Sequence, residues 1–518
     1  PGGAILLLVP EIATSLRLIR LLRERCGWRM ALFHSKLKLS ERKRIWEECR
    51  SGIYGVVVGT RSAVFLPVPN LRLIVVEDEH AEPFKQEETP RYNGRQVALM
   101  RGALSRIPVV LASSTPSLES YLASRRGEYR VIGESPPEGD APAPSSSPRV
   151  TIVDMRKREE LIPSDEEFSS ELVSALSDTL KSGKRALLFL NRRGFSSFIR
   201  CRDCGFVETC PSCELPFTFH SEQKALLCHR CGHRAPAPGS CRKCGGVQFR
   251  FGGVGIERMQ SGLKRLFPDA RVARVDLDSV RATKDAAPGP DLPREIALRE
   301  DALSAAERFV PGEVDIFIGT SMVMKGLDLN SVALVGALHA ESQLNLPDFR
   351  SGERAFQLLS ELLSLVRDTD GSTGPGRRLL IQTLNPEHHS VQAFVRGEPD
   401  FFYEKELAQR EELGYPPFTT MIAFHVSGKR EDRVLEVSGS LGAFAASVEE
   451  KSRGAVEVQG PSPGFPPKVR GDFCWRMNLR GSARADVVAA ARNVIMHLGG
   501  RHEISGVKVS VDVDPVGG

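Results

Sequence analysis

The chain has 518 residues, and at about 150 residues per domain this length predicts three to four domains. Hydrophobic residues make up 41% and charged residues 26%, which excludes a chain that is disordered throughout, and no apolar run approaches the length of a membrane span. The net charge of +5 is unevenly distributed, because residues 192–250 carry ten Lys or Arg against four Asp or Glu.

Short aliphatic runs alternate with helical patterns in the first part of the chain. The runs lie at Ile5–Val9, Val56–Val58, Leu73–Val76 and Val109–Ala112. Strands that are covered on both faces by helices have this composition, so we expect a parallel sheet. Helical spacing predicts helices over Leu16–Arg25 and Ser40–Arg50, the second with Ser40 as its N-cap.

A second set of aliphatic runs predicts another α/β sheet. These runs lie at Thr151–Val153, Ala186–Leu190, Asp315–Ile318, Val332–Leu338 and Leu379–Ile381. Five prolines in Glu134–Pro148 indicate a linker, and three in Ala282–Pro293 indicate a loop insertion. We therefore expect a first lobe (1–133), a linker (134–150) and a second lobe (151–200 and 245–385) that is interrupted by a cysteine-rich insertion (201–244).

The last part of the chain, residues 386–518, predicts an α+β domain. Apolar and polar residues alternate over Phe473–Arg480 and Val507–Asp514, a pattern typical of strands with one exposed face. Arg476 and Arg480 share one such face, where we expect solvent or, less readily, a phosphate contact.

Eight of the eleven cysteines form four Cys-x-x-Cys pairs. They are Cys201, Cys204, Cys210, Cys213, Cys228, Cys231, Cys241 and Cys244. Four thiolates suit one tetrahedral zinc ion, so we expect two closed structural sites. The 14-residue middle gap contains two strand-like pieces around Ser221–Lys224, which predicts a zinc-ribbon hairpin and nested sites, with the inner pairs on one ion and the outer pairs on the other.

The cysteine distribution also indicates a compartment. Clustered pairs are typical of metal binding in a reducing environment, whereas secreted domains spread their cysteines over the fold, so we expect a cytoplasmic protein. Since closed thiolate sites need no further ligand, we expect His220, His229 and His233 at the surface or beside the ligands. The arginines between the cysteines favour contact with nucleic acid or protein over a merely solvated basic face.

An acidic block, Glu77, Asp78, Glu79 and His80, directly follows the run at Leu73–Val76. Acids at the carboxyl end of a buried strand can hold Mg²⁺ and position water in nucleotide hydrolysis, although such acids also serve as helix caps. Polar turns follow neighbouring runs at Gly59–Ala63 and Ser113–Glu119, and we expect them at the same edge of the sheet.

With these motifs in place, the sequence resembles the bacterial primosomal replication-restart helicases of superfamily 2 along essentially its whole length. The motifs that carry the resemblance are Val9–Ala13, Glu77–His80, Lys85-Gln86, Arg91-Tyr92, Ser114–Ser120, Asn191–Gly194, the eight cysteines, Gly319-Thr320, Lys325-Gly326, Asp348–Arg354, Leu413–Phe418 and Asp512–Pro515. The resemblance implies two RecA-like lobes, a double zinc-ribbon insertion and a C-terminal α+β domain. It also implies ATP-driven 3′ to 5′ unwinding, binding of forked and single-stranded DNA, and partners among the primosome proteins and the single-strand binding protein.

The resemblance implies roles for particular residues. Glu77, Asp78, Glu79 and His80 would form the catalytic acidic motif, and Gly319, Thr320, Lys325 and Gly326 would contact ATP or DNA at the edge of the second lobe. Arg61, Phe84, Lys85, Arg91 and Tyr92 would contact DNA, with Arg95 nearby, because aromatic rings stack bases and cations follow phosphates. On residue type alone, a packed loop with solvated charges is an equal alternative for this set.

Three departures from the family pattern bear on the motor. The family's phosphate-binding loop would precede Pro1, and its acidic block reads Asp-Glu where this chain has Glu77-Asp78. An arginine motif expected after Leu359 is replaced by Ser360–Asp368, with Arg367 out of register. Because phosphoryl transfer depends on positioned charge, these changes favour a restart protein whose ATPase, with its ATP and Mg²⁺, is impaired. The alternatives are an active helicase represented by a fragment and a zinc-ribbon protein of other nucleic-acid metabolism.

Overall fold

The computed structural model describes residues 3–133, 149–190, 199–220, 225–251, 256–275, 314–319, 332–366, 377–499, 503–504 and 506–516. Several predicted features therefore lie outside the described residues: the linker at 134–148, Asn191–Gly194, Ser221–Lys224, Ala282–Pro293, Thr320, Lys325, Gly326 and Arg367. The described residues form two compact units, one within Pro1–Arg125 and one within Arg126–Ala286 and Ala305–Gly518.

The first unit is an α/β layer around one parallel sheet. Its elements are β1 (Ala4–Leu8), α1 (Ile12–Arg25), β2 (Met30–Phe33), α2 (Leu39–Arg50), β3 (Val56–Gly59), β4 (Leu71–Glu77), α3 (Gly94–Ser105), β5 (Val109–Ala112) and α4 (Leu118–Arg125), with short 3₁₀ turns at Arg61–Phe65 and Glu82–Phe84. All pairs are parallel, in the order β2-β3-β1-β4-β5. Leu6 of β1 joins the core on one face, whereas Leu7 packs with Ile19 of α1 on the other.

The sheet predicted from the four aliphatic runs is confirmed, and two details differ from the prediction. Strand β2 was not predicted, because four residues of mixed exposure give little periodicity. The Ser40 N-cap is wrong: α2 begins at Leu39, and its N-cap residue is Lys38, which makes no side-chain capping hydrogen bond.

The second unit contains a second parallel sheet with the cysteine-rich segment inserted into it. Its elements begin with β6 (Arg149–Asp154), a 3₁₀ turn (Arg158–Glu160), β7 (Leu161–Ile162), β8 (Asp165–Ser169), α5 (Ser170–Lys181), β9 (Arg185–Leu190), β10 (Ile199–Cys201), β11 (Thr218–His220), β12 (Ala225–Leu227), β13 (Arg234–Pro236) and β14 (Phe249–Phe251). They continue with α6 (Ile256–Leu266), β15 (Val272–Val275), β16 (Ile316–Gly319), β17 (Val332–Leu338), α7 (Glu341–Leu344), α8 (Ser351–Ser364), β18 (Arg378–Thr383), α9 (His389–Arg396) and α10 (Pro399–Glu412).

The parallel sheet has the order β15-β16-β9-β17-β18-β6. Its central strand β9 is almost entirely buried, and α5 packs against it through an apolar face that includes Leu172 and Leu176. The Ser169 hydroxyl caps α5 by accepting a hydrogen bond from the Leu172 backbone N–H at 3.1 Å. The cysteine-rich segment adds two small antiparallel sheets, β10-β14 and β11-β12-β13.

The chain ends in an antiparallel sheet of order β20-β21-β19-β23-β22, with two helices on one of its faces. The elements are β19 (Thr420–Gly428), α11 (Glu431–Ser452), β20 (Glu457–Val469), β21 (Asp472–Gly481), α12 (Arg484–His497), β22 (Glu503–Ile504) and β23 (Val507–Val513). This confirms the predicted α+β character of the end of the chain.

The second face of this sheet is not the solvated face that the alternation predicted. Arg476 and Asn478 of β21 are 3% and 0% exposed, and the Arg476 Nε donates to Asn478 Oδ1 at 2.9 Å. The cysteine-rich segment covers part of this face: Arg230 Nε donates to Gln459 Oε1 at 3.0 Å, and the Ser462 hydroxyl donates to the His229 carbonyl oxygen at 3.0 Å. The polar residues of the alternating pattern therefore form an internal interface.

None of the helices in the described part of the chain combines the length and apolarity needed to cross a bilayer.

Candidate functional site

The eight paired cysteines come together in two tetrads. Cys201 and Cys204 meet Cys241 and Cys244, and within each tetrad all four sulfur atoms lie within 4.8 Å of one another. The inner tetrad consists of Cys210, Cys213, Cys228 and Cys231. The nested pairing predicted from the spacing is therefore confirmed.

The distances between sulfur atoms fit a metal ion and not a disulfide. The Cys201–Cys244 and Cys204–Cys241 sulfur pairs are 3.6 Å and 3.5 Å apart, and the Cys210–Cys231 pair is 3.6 Å apart. Zinc–sulfur bonds of about 2.3 Å in a tetrahedron place the sulfur atoms about 3.8 Å apart. Four thiolates complete the coordination shell of zinc, so the two tetrads are structural sites for two zinc ions.

The two tetrads differ in their surroundings. The inner tetrad is part of an apolar cluster with Phe217, Phe349 and Tyr415, and the Tyr415 hydroxyl donates to the Cys213 carbonyl oxygen at 3.2 Å. In the outer tetrad, Cys244 is exposed. His229 was predicted at the surface or beside the ligands; it is buried next to Cys228, and its Nδ1 donates to the Pro463 carbonyl oxygen at 2.8 Å. The inner site thus fastens the ribbon to the C-terminal sheet.

The acidic block lies at the carboxyl edge of the first sheet, where β4 ends at Glu77. Strand β5 pairs with β4 in parallel, so the turn that begins at Ser113 reaches the same edge. The His80 Nδ1 and the Ser113 hydroxyl are 2.7 Å apart. The structure therefore brings together two of the motifs that were predicted to share this edge.

The buried Glu79 side chain contacts both the turn after β5 and helix α3 at this edge. It is 3% exposed and accepts hydrogen bonds from the Ser117 backbone N–H at 2.6 Å and the Ser117 hydroxyl at 3.1 Å. It also pairs with Arg95 Nη1 at 2.5 Å. Arg95, which the loop pattern grouped with the DNA-facing residues, is itself buried. Both charges are therefore committed to internal contacts.

Glu77 and Asp78 are the half-buried acids of the block. Burial, together with the neighbouring charge of Asp78, raises the pKa of the Glu77 carboxyl. The Asp78 backbone has a φ of 47°, in the left-handed region, so the chain turns sharply between these two carboxylates. A role of Glu77 and Asp78 in holding a metal ion or an attacking water stays a prediction.

The predicted DNA loop is a closed hairpin whose base is packed. The Gln86 backbone N–H donates to the Tyr92 carbonyl oxygen at 2.8 Å, and Arg61 Nη1 donates to the carbonyl oxygens of Pro83 at 2.9 Å and Lys85 at 2.5 Å. Phe84 and Lys85 are buried, with exposed fractions of 1% and 5%. In this conformation the Phe84 ring presents no open face to a base.

The remaining loop residues are more accessible. Tyr92 is half-buried and meets the ring of Phe65 edge-on, with ring centroids 5.0 Å apart, and Arg91 is also half-buried. Phe65 is itself 50% exposed, so the two rings form an aromatic pair beside the loop. DNA contact by Arg61, Phe84, Lys85, Arg91 and Tyr92 stays a prediction.

Little of the predicted nucleotide-contact set falls within the described residues. Gly319 ends β16, whereas Thr320, Lys325 and Gly326 lie outside the described part of the chain. The segment that replaces the family's arginine motif continues α8 to Ser364, with Leu362 buried in the core. The role of the Gly319–Gly326 segment stays a prediction.

One charged cluster was not predicted from the sequence. His339, directly after β17, has Nε2 3.1 Å from Glu167 and Nδ1 3.4 Å from Glu341. Burial alone would lower the pKa of His339, but contacts with the two carboxylates outweigh it and raise this pKa to about 9. Its place at the carboxyl end of a buried strand was a usable signal, but the contact with Glu167 depends on packing between distant elements.

Two parallel sheets, a double zinc ribbon and an antiparallel C-terminal sheet define a zinc-binding protein of α/β architecture. Residues 411–516 match the model of the primosomal protein N C-terminal domain, and residues 210–236 match that of the PriA DNA helicase Cys-rich region. The chain belongs to the family of the replication restart protein PriA.

The similarity extends over almost the whole chain. The replication restart protein PriA of Bacillus subtilis (strain 168) is 34% identical over 515 residues, which cover 99% of this chain and 60% of that protein. The protein of the same name from Treponema pallidum (strain Nichols) is also 34% identical, over 99% of this chain and 73% of its own length. A solved structure of RecG bound to a three-way DNA junction matches at 14% identity and a TM-score of 0.38, over 78% of this chain and 40% of that one. The chain spans 60% of the length of the Bacillus protein, which is less than two thirds.

Proposed function

We propose that this chain acts in replication restart by binding forked and single-stranded DNA and helping to assemble the primosome, with a weakened ATPase motor. The observation that carries the proposal is the similarity over 99% of the chain to proteins named for replication restart. This similarity argues against the zinc-ribbon protein of other nucleic-acid metabolism. From the family resemblance, we also propose that this chain's partners are primosome proteins and the single-strand binding protein, and that it acts in the cytoplasm.

The exchange at Glu77 and Asp78 supports the weakened motor. Glu79 and His80 are held by Ser117 and Ser113, which leaves the first two acids of the block to serve a bound Mg²⁺ and ATP. Relative to the family's Asp-Glu order, the Glu77 carboxylate is one methylene longer and that of Asp78 one methylene shorter. Misplacement by about 1 Å can cost about a hundredfold in rate. Gly319, Thr320, Lys325 and Gly326 are the proposed nucleotide contacts of the second lobe.

DNA binding is tested by fluorescence anisotropy with forked, single-stranded and blunt duplex DNA. We expect preference for the fork and the single strand, and affinity that falls as salt rises because phosphate contacts release counterions. Tyr92→Ala should weaken single-strand binding about tenfold if the ring stacks a base, the size expected for one stacked base. Equal binding of the fork and the blunt duplex would contradict the proposal.

The motor is tested separately, by DNA-stimulated ATP hydrolysis of the full-length gene product. The double exchange Glu77→Asp with Asp78→Glu restores the family order and should raise turnover by at least about tenfold. Glu77→Gln with Asp78→Asn, which removes both carboxylates, is the matched control and should abolish turnover. Robust hydrolysis that the exchange leaves unchanged would favour an active helicase.

A further inference from the structure

A polar cleft of about 310 Å³ lies within the second unit, and the zinc ligands Cys204 and Cys213 form part of its lining. It is lined by the zinc-binding segment, the turn that precedes α8, and the start of α9. This volume is at the lower end of the range for small-molecule sites, about 300–1,000 Å³, and suits a group no larger than a nucleoside.

A run of stacked rings ends in this cleft. Phe356 and Phe402 stack with centroids 4.3 Å apart, Phe402 and His389 at 5.8 Å, and His389 and His388 at 4.3 Å. The interplanar angles are 8°, 16° and 28°, so each ring is close to parallel with its neighbour. The two phenylalanines are buried in the core, whereas His388 lines the cleft. The run therefore offers a fixed, flat aromatic surface at its outer end.

The outermost ring is electrically neutral at physiological pH. Burial, with the neighbouring His389, lowers the pKa of His388 to about 4. His389 instead lies 2.8 Å from Glu406, which in turn pairs with Arg410. A neutral ring stacks on another neutral heterocycle without the cost of burying a charge.

Two asparagines in the lining of the same cleft have polar atoms without a hydrogen-bond partner among the described residues. Asn345 is 4% exposed, and its Nδ2 has no hydrogen-bond partner among the described residues. The Asn385 Oδ1 is likewise buried without a partner in the described part of the chain. Both residues line the cleft. A buried donor and a buried acceptor each lose free energy unless a ligand or water satisfies them.

We propose that this cleft binds a single nucleobase, stacked on His388 and hydrogen-bonded at its edge by Asn345 and Asn385. A nucleobase is planar and uncharged and carries donors and acceptors on one edge, as the ring and the two asparagines require. Exposed Lys243 at the cleft supplies a cation for an attached phosphate. The inference rests on the proposed DNA-binding function if the base belongs to a DNA strand, and stands apart from it if the base belongs to a free nucleotide.

The test uses 2-aminopurine, whose fluorescence falls when it stacks. One arm places it in an oligothymidylate strand, and the other uses free 2-aminopurine deoxyribonucleoside monophosphate. We expect saturable quenching with the unmodified chain in at least one arm. Quenching in the strand alone identifies a base of DNA as the ligand, and quenching by the free nucleotide identifies a nucleotide site.

The key variant is His388→Asn, because His388 also caps α9 by accepting a hydrogen bond from the Ser390 backbone N–H at 3.2 Å. Asparagine keeps the capping oxygen and removes the ring. We expect His388→Asn to lower the affinity for the 2-aminopurine probe about tenfold, which is the effect of losing one stacked base. Asn385→Ala should also lower the affinity for this probe. His497→Asn, which removes an exposed ring stacked on Phe444 and away from the cleft, should bind as the unmodified chain does.

The failures of the two proposals are distinguishable. Three results would overturn the nucleobase site, whatever the affinity for forked DNA. They are absence of quenching in both arms, unchanged affinity for the probe in both cleft variants, and a loss of affinity in His497→Asn equal to that in the cleft variants. Failure of the unmodified chain to prefer forked DNA by anisotropy would overturn the proposed function, while quenching by the free nucleotide would still support the cleft.

Discussion

Replacing Glu79 by glutamine should destabilise the first unit strongly, although the two side chains have almost the same shape. The carboxylate accepts two hydrogen bonds from Ser117 and forms a buried ion pair with Arg95. Glutamine can retain the bond from the Ser117 backbone N–H, but it removes the negative charge that compensates the guanidinium. Removing one partner of a buried ion pair costs about 3–5 kcal/mol, and the retained bond places our expectation near 3 kcal/mol.

Native-state hydrogen exchange measures this loss locally. A loss of about 3 kcal/mol corresponds to about a hundredfold less protection for amides of β4 and β5. Amides of β19, in the other unit, provide an internal reference. Glu77→Gln is the matched control, because it makes the same chemical change at a half-buried acid two residues earlier. The pKa of Glu77 is raised, so its charge is not stabilised by a partner as that of Glu79 is, and the change should alter the free energy of unfolding by less than about 0.5 kcal/mol. Equal effects of the two changes would refute the role assigned to Glu79.

Two further predictions concern the second unit. Elemental analysis should find two zinc ions per chain, and one zinc ion per chain in either Cys213→Ser or Cys244→Ser. Because the inner tetrad belongs to the core shared with the C-terminal sheet, Cys213→Ser should cause the greater loss of hydrogen-exchange protection in that sheet. An equal loss of protection in the two variants would contradict this. The protonated form of His339 stabilises the fold, since its pKa is raised to about 9 from an ordinary value of about 6.5. That contribution to the free energy of unfolding is fully present below about pH 6.5 and is lost as the pH rises through about 9. His339→Gln should therefore lower the free energy of unfolding, measured with urea, by about 3 kcal/mol at pH 6 and by little at pH 10. A loss that does not depend on pH would contradict this prediction.

The parts of the fold that depend on local pattern could be predicted from the sequence. The uninterrupted aliphatic runs predicted four of the five strands of the first parallel sheet and five of the six of the second, because strands buried on both faces consist almost entirely of apolar residues. The cysteine spacing gave the two tetrads because a metal site is specified by its ligands. Strands β2 and β15 and the start of α2 were missed because none of them has a strong local pattern.

The buried arginines of the two units could not be predicted in this way. Arg476 alternates with apolar residues as a solvent-facing residue would, yet it is buried. The same holds for Arg95, whose position in a loop rich in cations and aromatics favoured a surface role. Arg95 pairs with Glu79, which follows a different strand, and the sheet face that carries Arg476 is covered in part by the cysteine-rich segment. A periodic pattern carries no record of contacts between distant elements.

The contact between the ribbon and the C-terminal sheet separates two events in time as the chain is synthesised. The inner tetrad is complete once Cys231 has emerged, so zinc can be captured from ligands within a short stretch of chain. Arg230 sits within that stretch, but its partner Gln459 follows 229 residues later. A newly made ribbon can therefore capture zinc well before the residues that bury Arg230, among them Phe349, Tyr415 and Gln459, have been synthesised, so the nascent chain exposes a cation that is buried in the folded protein.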